Sequence, residues 1–146
     1  MKFKTKVDSL QKLRSRLKNK EASVGTWLQI SNNAVAEIIS CSNYDWITLD
    51  LEHGDIDEKD IPIICNAIHQ NCPLVFVRTR SSDNTFCSRV LDLGVQGIII
   101  PKIETSKQLI KISKSISYPP LGDRGVGFCK ANIYGKDLKE HLELFK

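Results

Sequence analysis

Residues 46–54 read WITLDLEHG, and the reading of this stretch decides the fold. Trp46, Ile47, Thr48 and Leu49 are aromatic, apolar or β-branched, the residue types that suit a strand. Asp50, Glu52 and His53 then follow in quick succession, just before Gly54. A strand that ends in two acids and an imidazole places chemistry at its C-terminal edge. In a chain built from repeated βα units, that edge is where all the strands open onto one shared site.

The sequence on either side has the required rhythm. A leading helix within residues 1–22 carries Leu10, Leu13 and Leu17 on one apolar stripe at helical spacing. A strand is expected at 24–30 (VGTWLQI), then a helix at 34–41 capped by Asn32 or Asn33. Strand two, at 46–51, leads to a helix at 58–70 introduced by Asp55 and Asp57. A third strand at 74–78 follows Pro73, and the cluster Ser81, Ser82, Asp83, Asn84 caps a helix reaching Leu93. A fourth strand at 97–100 is closed by Pro101, and Thr105 caps a helix running to Ile116. Short apolar strands that alternate with helices predict an α/β fold, a parallel sheet covered by helices.

The last part departs from this rhythm. Tyr118, Pro119, Pro120, Leu121 and Gly122 form a turn-rich connector, residues 124–127 (RGVG) a glycine-punctuated loop, and 138–145 a final helix. Long irregular segments of this kind are more often functional than not. The chain therefore reads as one domain in three parts: residues 1–22, the four βα units of 24–117, and 118–146.

Composition narrows the function classes. The chain has 146 residues, 41% apolar and 26% charged, with a formal charge of +4; these are the values of one soluble domain with a real core. The basic excess gathers near the start, where Lys2, Lys4, Lys6, Lys12, Arg14, Arg16, Lys18 and Lys20 face only Asp8. A nucleic-acid or membrane-surface helix has such a charge run, but the Leu10, Leu13, Leu17 stripe makes it the solvated face of a packed helix, so neither partner is expected. No apolar run approaches the roughly 18 residues that cross a bilayer, and no signal-peptide core is present. Cys41, Cys65, Cys72, Cys87 and Cys129 are odd in number and lack CxxC spacing, which argues for reduced thiols in a cytoplasmic protein.

Several motifs in register give the chain a family resemblance. GTWLQI at 25–30, DWITLDLEHG at 45–54, VRTR at 77–80, VLDLGVQGIIIPKIET at 90–105 and YPPLGDRGVG at 118–127 resemble, in order and spacing, the class II pyruvate aldolases of the HpcH/HpaI aldolase family. The resemblance implies a TIM (β/α)₈ barrel, of which this chain would supply the leading helix and the first four βα units. It also implies a carbon-carbon lyase that reversibly cleaves a 4-hydroxy-2-oxo acid to pyruvate and an aldehyde through a metal-bound enolate. By position, His53 matches the catalytic acid/base for the aldehyde oxygen, Arg78 the arginine that grips pyruvate, and Asp50 and Asp92 acids that surround the histidine.

The residue types suit that chemistry. Histidine titrates in the working pH range, a neighbouring acid fixes its tautomer, and arginine offers a planar fork to a carboxylate. Each has a plainer alternative: an exposed loop histidine at His53, an ordinary ion pair at Arg78, an acid ahead of a C-capping glycine at Asp92. Trp27 lines the substrate pocket or belongs to the core. Arg124, flanked by loop amides and glycine, is placed to hold an anionic group. Glu104 matches a variable position and is not read as a metal ligand, and His69 and His141 are expected on solvated helix surfaces.

The family's metal-binding acids match no residue here. A divalent metal (Mg²⁺, Mn²⁺ or Co²⁺) is thus expected to find its ligands outside this chain, and the metal set within it is empty. A half-barrel also leaves two open strand edges and an uncovered apolar face, which invite association. Three explanations are open: a part of a longer or split protein that meets a missing C-terminal half, a homo-oligomer in which two copies complete a barrel, or a remnant without activity. The alternative function is a non-catalytic carboxylate- or phosphate-binding or assembly module; a related carbon-carbon bond enzyme of the same family is a third reading.

Overall fold

Four short strands, β1 (Gly25–Leu28), β2 (Trp46–Asp50), β3 (Leu74–Arg78) and β4 (Gly97–Ile99), pair in parallel in the order β1-β2-β3-β4. The computed structural model describes residues 3–68 and 74–144. Each parallel neighbour requires a crossover, and the helices supply it: α2 (Asn33–Ser40), α3 (Ile61–Ala67) and α4 (Asn84–Asp92) between the strands, α5 (Ser106–Ile116) after the last. The leading helix is α1 (Phe3–Lys18), and α6 (Leu138–Leu144) closes the chain.

The local signals that start the helices hold. Asn32 accepts the Val35 N–H at 3.1 Å and Asp83 the Phe86 N–H at 2.7 Å, while Thr105 and Gln108 form a capping box. The expected helix over 58–70 is the exception. It opens as a 3₁₀ turn at Glu58–Asp60 and becomes α-helical with Pro62 in its first turn, where a missing N–H costs nothing. It ends at Ala67, because Ile68 is extended; His69, Gln70 and Cys72 lie outside the described residues. The first strand is also shorter than expected, since Ile30 makes only an isolated bridge to Asp55.

Alternation along the strands gives the sheet two faces. Leu28, Ile47, Leu49, Val75 and Val77 point to one, where they pack with Ala36, Ile61, Ile64 and Val90 of the helices. The other face is layered by the strand register. Gly25, Trp46 and Leu74 form its lowest row, Trp27, Thr48, Phe76 and Gly97 the next, and Asp50, Arg78 and Ile99 the uppermost. Leu10 and Leu13 of α1 pack beneath, against Leu74, Trp46 and Phe76; burial of each such leucine stabilises by about 1.5–3 kcal/mol. A side chain at position 25 would run into the Trp46 indole, so glycine opens β1. Trp27 and Ile99 remain exposed, and among the described residues the buried Thr48 hydroxyl has no hydrogen-bond partner.

The closing segment folds back on the helices. The Asp123 N–H donates to the Lys114 carbonyl and the Arg124 N–H to the Ser117 carbonyl, which ties the connector to the end of α5. His141 corrects the sequence expectation. It is not solvated but 3% exposed, and its Nε2 shares a 3.1 Å hydrogen bond with the Tyr118 hydroxyl. Burial, with the nearby Arg124 charge, pushes the imidazole down to about 4. The contact that buries it comes from the connector, which the spacing of a short helix does not reveal. Among the described residues Cys41, Cys65, Cys87 and Cys129 are free thiols.

Candidate active site

The uppermost row of the sheet gathers the polar residues that end the strands. Asp50 closes β2, and its register partner on β3 is Arg78. The Asp50 side chain is fully buried and accepts five hydrogen bonds. Arg78 donates from Nε at 2.9 Å and from Nη2 at 2.5 Å, and Gln29 donates its side-chain amide at 3.0 Å. The Glu52 and His53 backbone N–H groups complete the set at 3.1 Å each. Hydrogen bonding to the charged form, first by Arg78, overcomes desolvation and holds the Asp50 carboxyl well below the usual carboxylate range. The same bond raises Arg78.

Asp50 therefore shapes the turn that carries the histidine. Its side chain pins the two N–H groups that follow, as Asp does in Asx-turns. The chain then passes so close to the carbonyls of Asp50 and Gln29 that a side chain at Gly54 would overlap them. Glycine is required there by contact rather than by backbone angle.

Around this centre the remaining groups take fixed places. The Arg78 guanidinium lies 4.7 Å from the Trp27 ring centroid, a cation–π geometry. The Glu52 carboxylate, 8% exposed, lies 3.6 Å from Arg78 Nε, 3.8 Å from His53 Nε2 and 3.3 Å from Lys102 Nζ. Lys102 reaches it from the loop after β4, where its φ of 57° is the left-handed conformation that non-glycine residues seldom adopt. His53 itself is 63% exposed at the side chain, an imidazole available to a ligand.

The structure thus brings together Asp50, His53, Arg78 and Trp27 from the sequence reading. Asp92 and Arg124 are elsewhere. Asp92, the last residue of α4, lies 2.5 Å from Arg124 Nη2 and 3.7 Å from the Cys129 thiol, not beside His53. The sequence reading noted Glu52 at the strand end without giving it a role, and did not select Gln29 or Lys102. Glu52 stands inside the quoted stretch and Gln29 ends the first strand motif, whereas nothing in the sequence marks Lys102.

Metal binding has little to work with here. Among the described residues, no three His, Cys, Asp or Glu side chains are placed to hold a metal ion. Both Asp50 oxygens accept hydrogen bonds, and both Glu52 oxygens face cations. Hard divalent cations need several free oxygen ligands, and these residues do not form such a set. No helix among the described residues is long and apolar enough to cross a membrane.

Comparison with known proteins places this geometry in context. The family model for the HpcH/HpaI aldolase/citrate lyase family matches residues 23–141. The chain is 32% identical over 114 residues to a 2-keto-3-deoxy-L-rhamnonate aldolase of Shigella boydii serotype 4 (strain Sb227), covering 78% of this chain and 43% of that one. It is 32% identical over 134 residues to a 4-hydroxy-2-oxovalerate aldolase of Novosphingobium aromaticivorans, covering 91% and 50%. Among solved structures, an HpcH/HpaI aldolase/citrate lyase family protein from Burkholderia cenocepacia J2315 superposes with a TM-score of 0.82 at 27% identity, covering 92% of this chain and 55% of that chain. The chain spans about half the length of the curated relatives it matches.

Proposed function

Because this chain belongs to the HpcH/HpaI aldolase/citrate lyase family, we propose that it carries the carboxylate-gripping and proton-transfer edge of a pyruvate-type aldolase. The substrate is a 4-hydroxy-2-oxo acid, and the products are pyruvate and an aldehyde. The observation that carries this reading is Arg78, held by Asp50 and stacked on Trp27 at the C-terminal edge of the sheet, beside an exposed His53.

The geometry supports the following roles. Arg78 spends Nε and part of Nη2 on Asp50; among the described residues its Nη1 carries no hydrogen bond, and that end of the fork takes the substrate carboxylate. Trp27 keeps the guanidinium plane fixed. His53 removes the proton from the C4 hydroxyl as the C3–C4 bond breaks. The bonding pair stays on C3 as the pyruvate enolate, and the C4 oxygen becomes the aldehyde carbonyl. In the synthetic direction the imidazolium returns that proton. The Glu52 carboxylate lies 3.8 Å from Nε2, beside the imidazole that handles this proton.

The divalent metal implied by the family would be held by ligands outside this chain, since Asp50 and Glu52 are already engaged. A homo-oligomer or a complementary half would bring them, and would cover the exposed Trp27 and Ile99.

The test is exchange of the pyruvate methyl protons in deuterated water, with Mn²⁺ and then with a chelator. Metal-dependent exchange that follows the purified protein and is lost in Arg78→Ala is the expected result. No protein-dependent exchange from a folded assembly shown to bind Mn²⁺ would overturn the lyase reading in favour of a carboxylate-binding module.

A further inference from the structure

A pocket of about 410 Å³ opens between α4, α5 and the connector, and it shares no residue with the site at Arg78. Val90 of α4 packs with Val75 and Val77 on the helical face of the sheet, whereas Arg78 alternates to the opposite face. Lys111 and Lys114, neighbours along one side of α5, form one wall, and neither ammonium is ion-paired among the described residues. Thr85 of α4 also lines the pocket with its hydroxyl unengaged among the described residues.

The connector supplies the third side through Arg124 and Gly125. Arg124 is 6% exposed, lies 4.7 Å from the Tyr118 ring centroid and gives Nη2 to Asp92. Among the described residues its buried Nε has no hydrogen-bond partner, an unmet donor that a bound anion would satisfy. A Cβ built on Gly125 meets no atom within 4 Å, so the pocket stays open there. Three cations line the space against one carboxylate, Asp123.

We propose that this pocket binds a small phosphate-bearing anion. Arg124 gives Nη2 to Asp92 and lies against the Tyr118 ring, which leaves its buried Nε, rather than a paired edge of the fork, to meet a ligand. What the site offers is two ammonium groups, a hydroxyl and a single N–H from separate directions. Point donors of that kind suit the tetrahedral oxygens of a phosphate. The volume lies at the lower end of small-molecule sites and accommodates the phosphate with a small organic group attached. This inference does not depend on the reading at Arg78.

The test is a titration of the full chain, at constant ionic strength, with inorganic phosphate, glycerol 3-phosphate and malonate, followed at the Gly125 and Ser115 amides by NMR. Saturable shifts with the phosphates, about tenfold tighter than with malonate, are expected. Tighter binding of the ester than of inorganic phosphate assigns a phosphorylated metabolite, and equal binding assigns free phosphate. The double variant Lys111→Gln, Lys114→Gln should weaken binding about tenfold, and Gly125→Val should abolish it by filling the open space, both with unchanged circular dichroism. Shifts that do not saturate, that malonate matches, or that survive both variants would overturn the proposal.

Discussion

Asp50 and Arg78 face each other across the last register position of β2 and β3, joined by hydrogen bonds of 2.9 and 2.5 Å. Asp50 is completely buried and Arg78 keeps one edge toward solvent, so the pair ties the two strands while leaving that edge open. Removing one partner of a buried pair leaves the other uncompensated, at a cost of about 3–5 kcal/mol. Asp50→Ala should lose stability on that scale in urea denaturation and release the turn that carries His53. A loss below about 1 kcal/mol, the range of exposed pairs, would show that the tie is not structural.

The same carboxylate makes stability depend on acid. Its folded-state ionisation lies below that of the unfolded chain, so its contribution is complete above the ordinary aspartate value of about 4 and is lost as pH falls through the folded value. Wild type should destabilise more steeply below pH 4 than Asp50→Asn does. Equal slopes would contradict the assignment.

His141 acts in a different window. Its folded value, pushed down to about 4 by burial, lies below the ordinary value of about 6.5, so the unfolded chain binds the extra proton between the two. Stability should be flat above pH 7 and fall as pH drops from 6.5 to 4, by on the order of 2 kcal/mol. In His141→Phe that slope should vanish. A slope retained by the variant would place the titrating group elsewhere.

His53→Ala isolates the proton transfer. In the assembled enzyme it should lower kcat for aldol cleavage by about 10²–10⁴-fold, with pyruvate affinity little changed because Arg78 is untouched. Full cleavage activity in the variant would remove His53 from the acid/base role.

Some of this was legible in the sequence for definite physical reasons. Asp50, His53 and Arg78 end apolar strands in a βα rhythm, which places them at one sheet edge. Asn32, Asp83 and Thr105 cap helices through bonds only a few residues long. The remainder depended on distant contacts. Asp92 meets Arg124 from 32 positions away, His141 is buried by Tyr118 on the connector, and Lys102 meets Glu52 from a loop residue with left-handed backbone. Spacing along the chain carries no record of such meetings.

The central claim is that Arg78, braced by Asp50 and Trp27, is a carboxylate grip, and the indole N–H of Trp27 is its nearest reporter. Pyruvate titrated into the isotope-labelled chain should shift that resonance saturably, and Arg78→Lys should weaken the apparent Kd by at least about tenfold, or 1.4 kcal/mol. An indole signal that does not move in the folded wild-type protein, or one that saturates equally well in Arg78→Lys, would contradict the account.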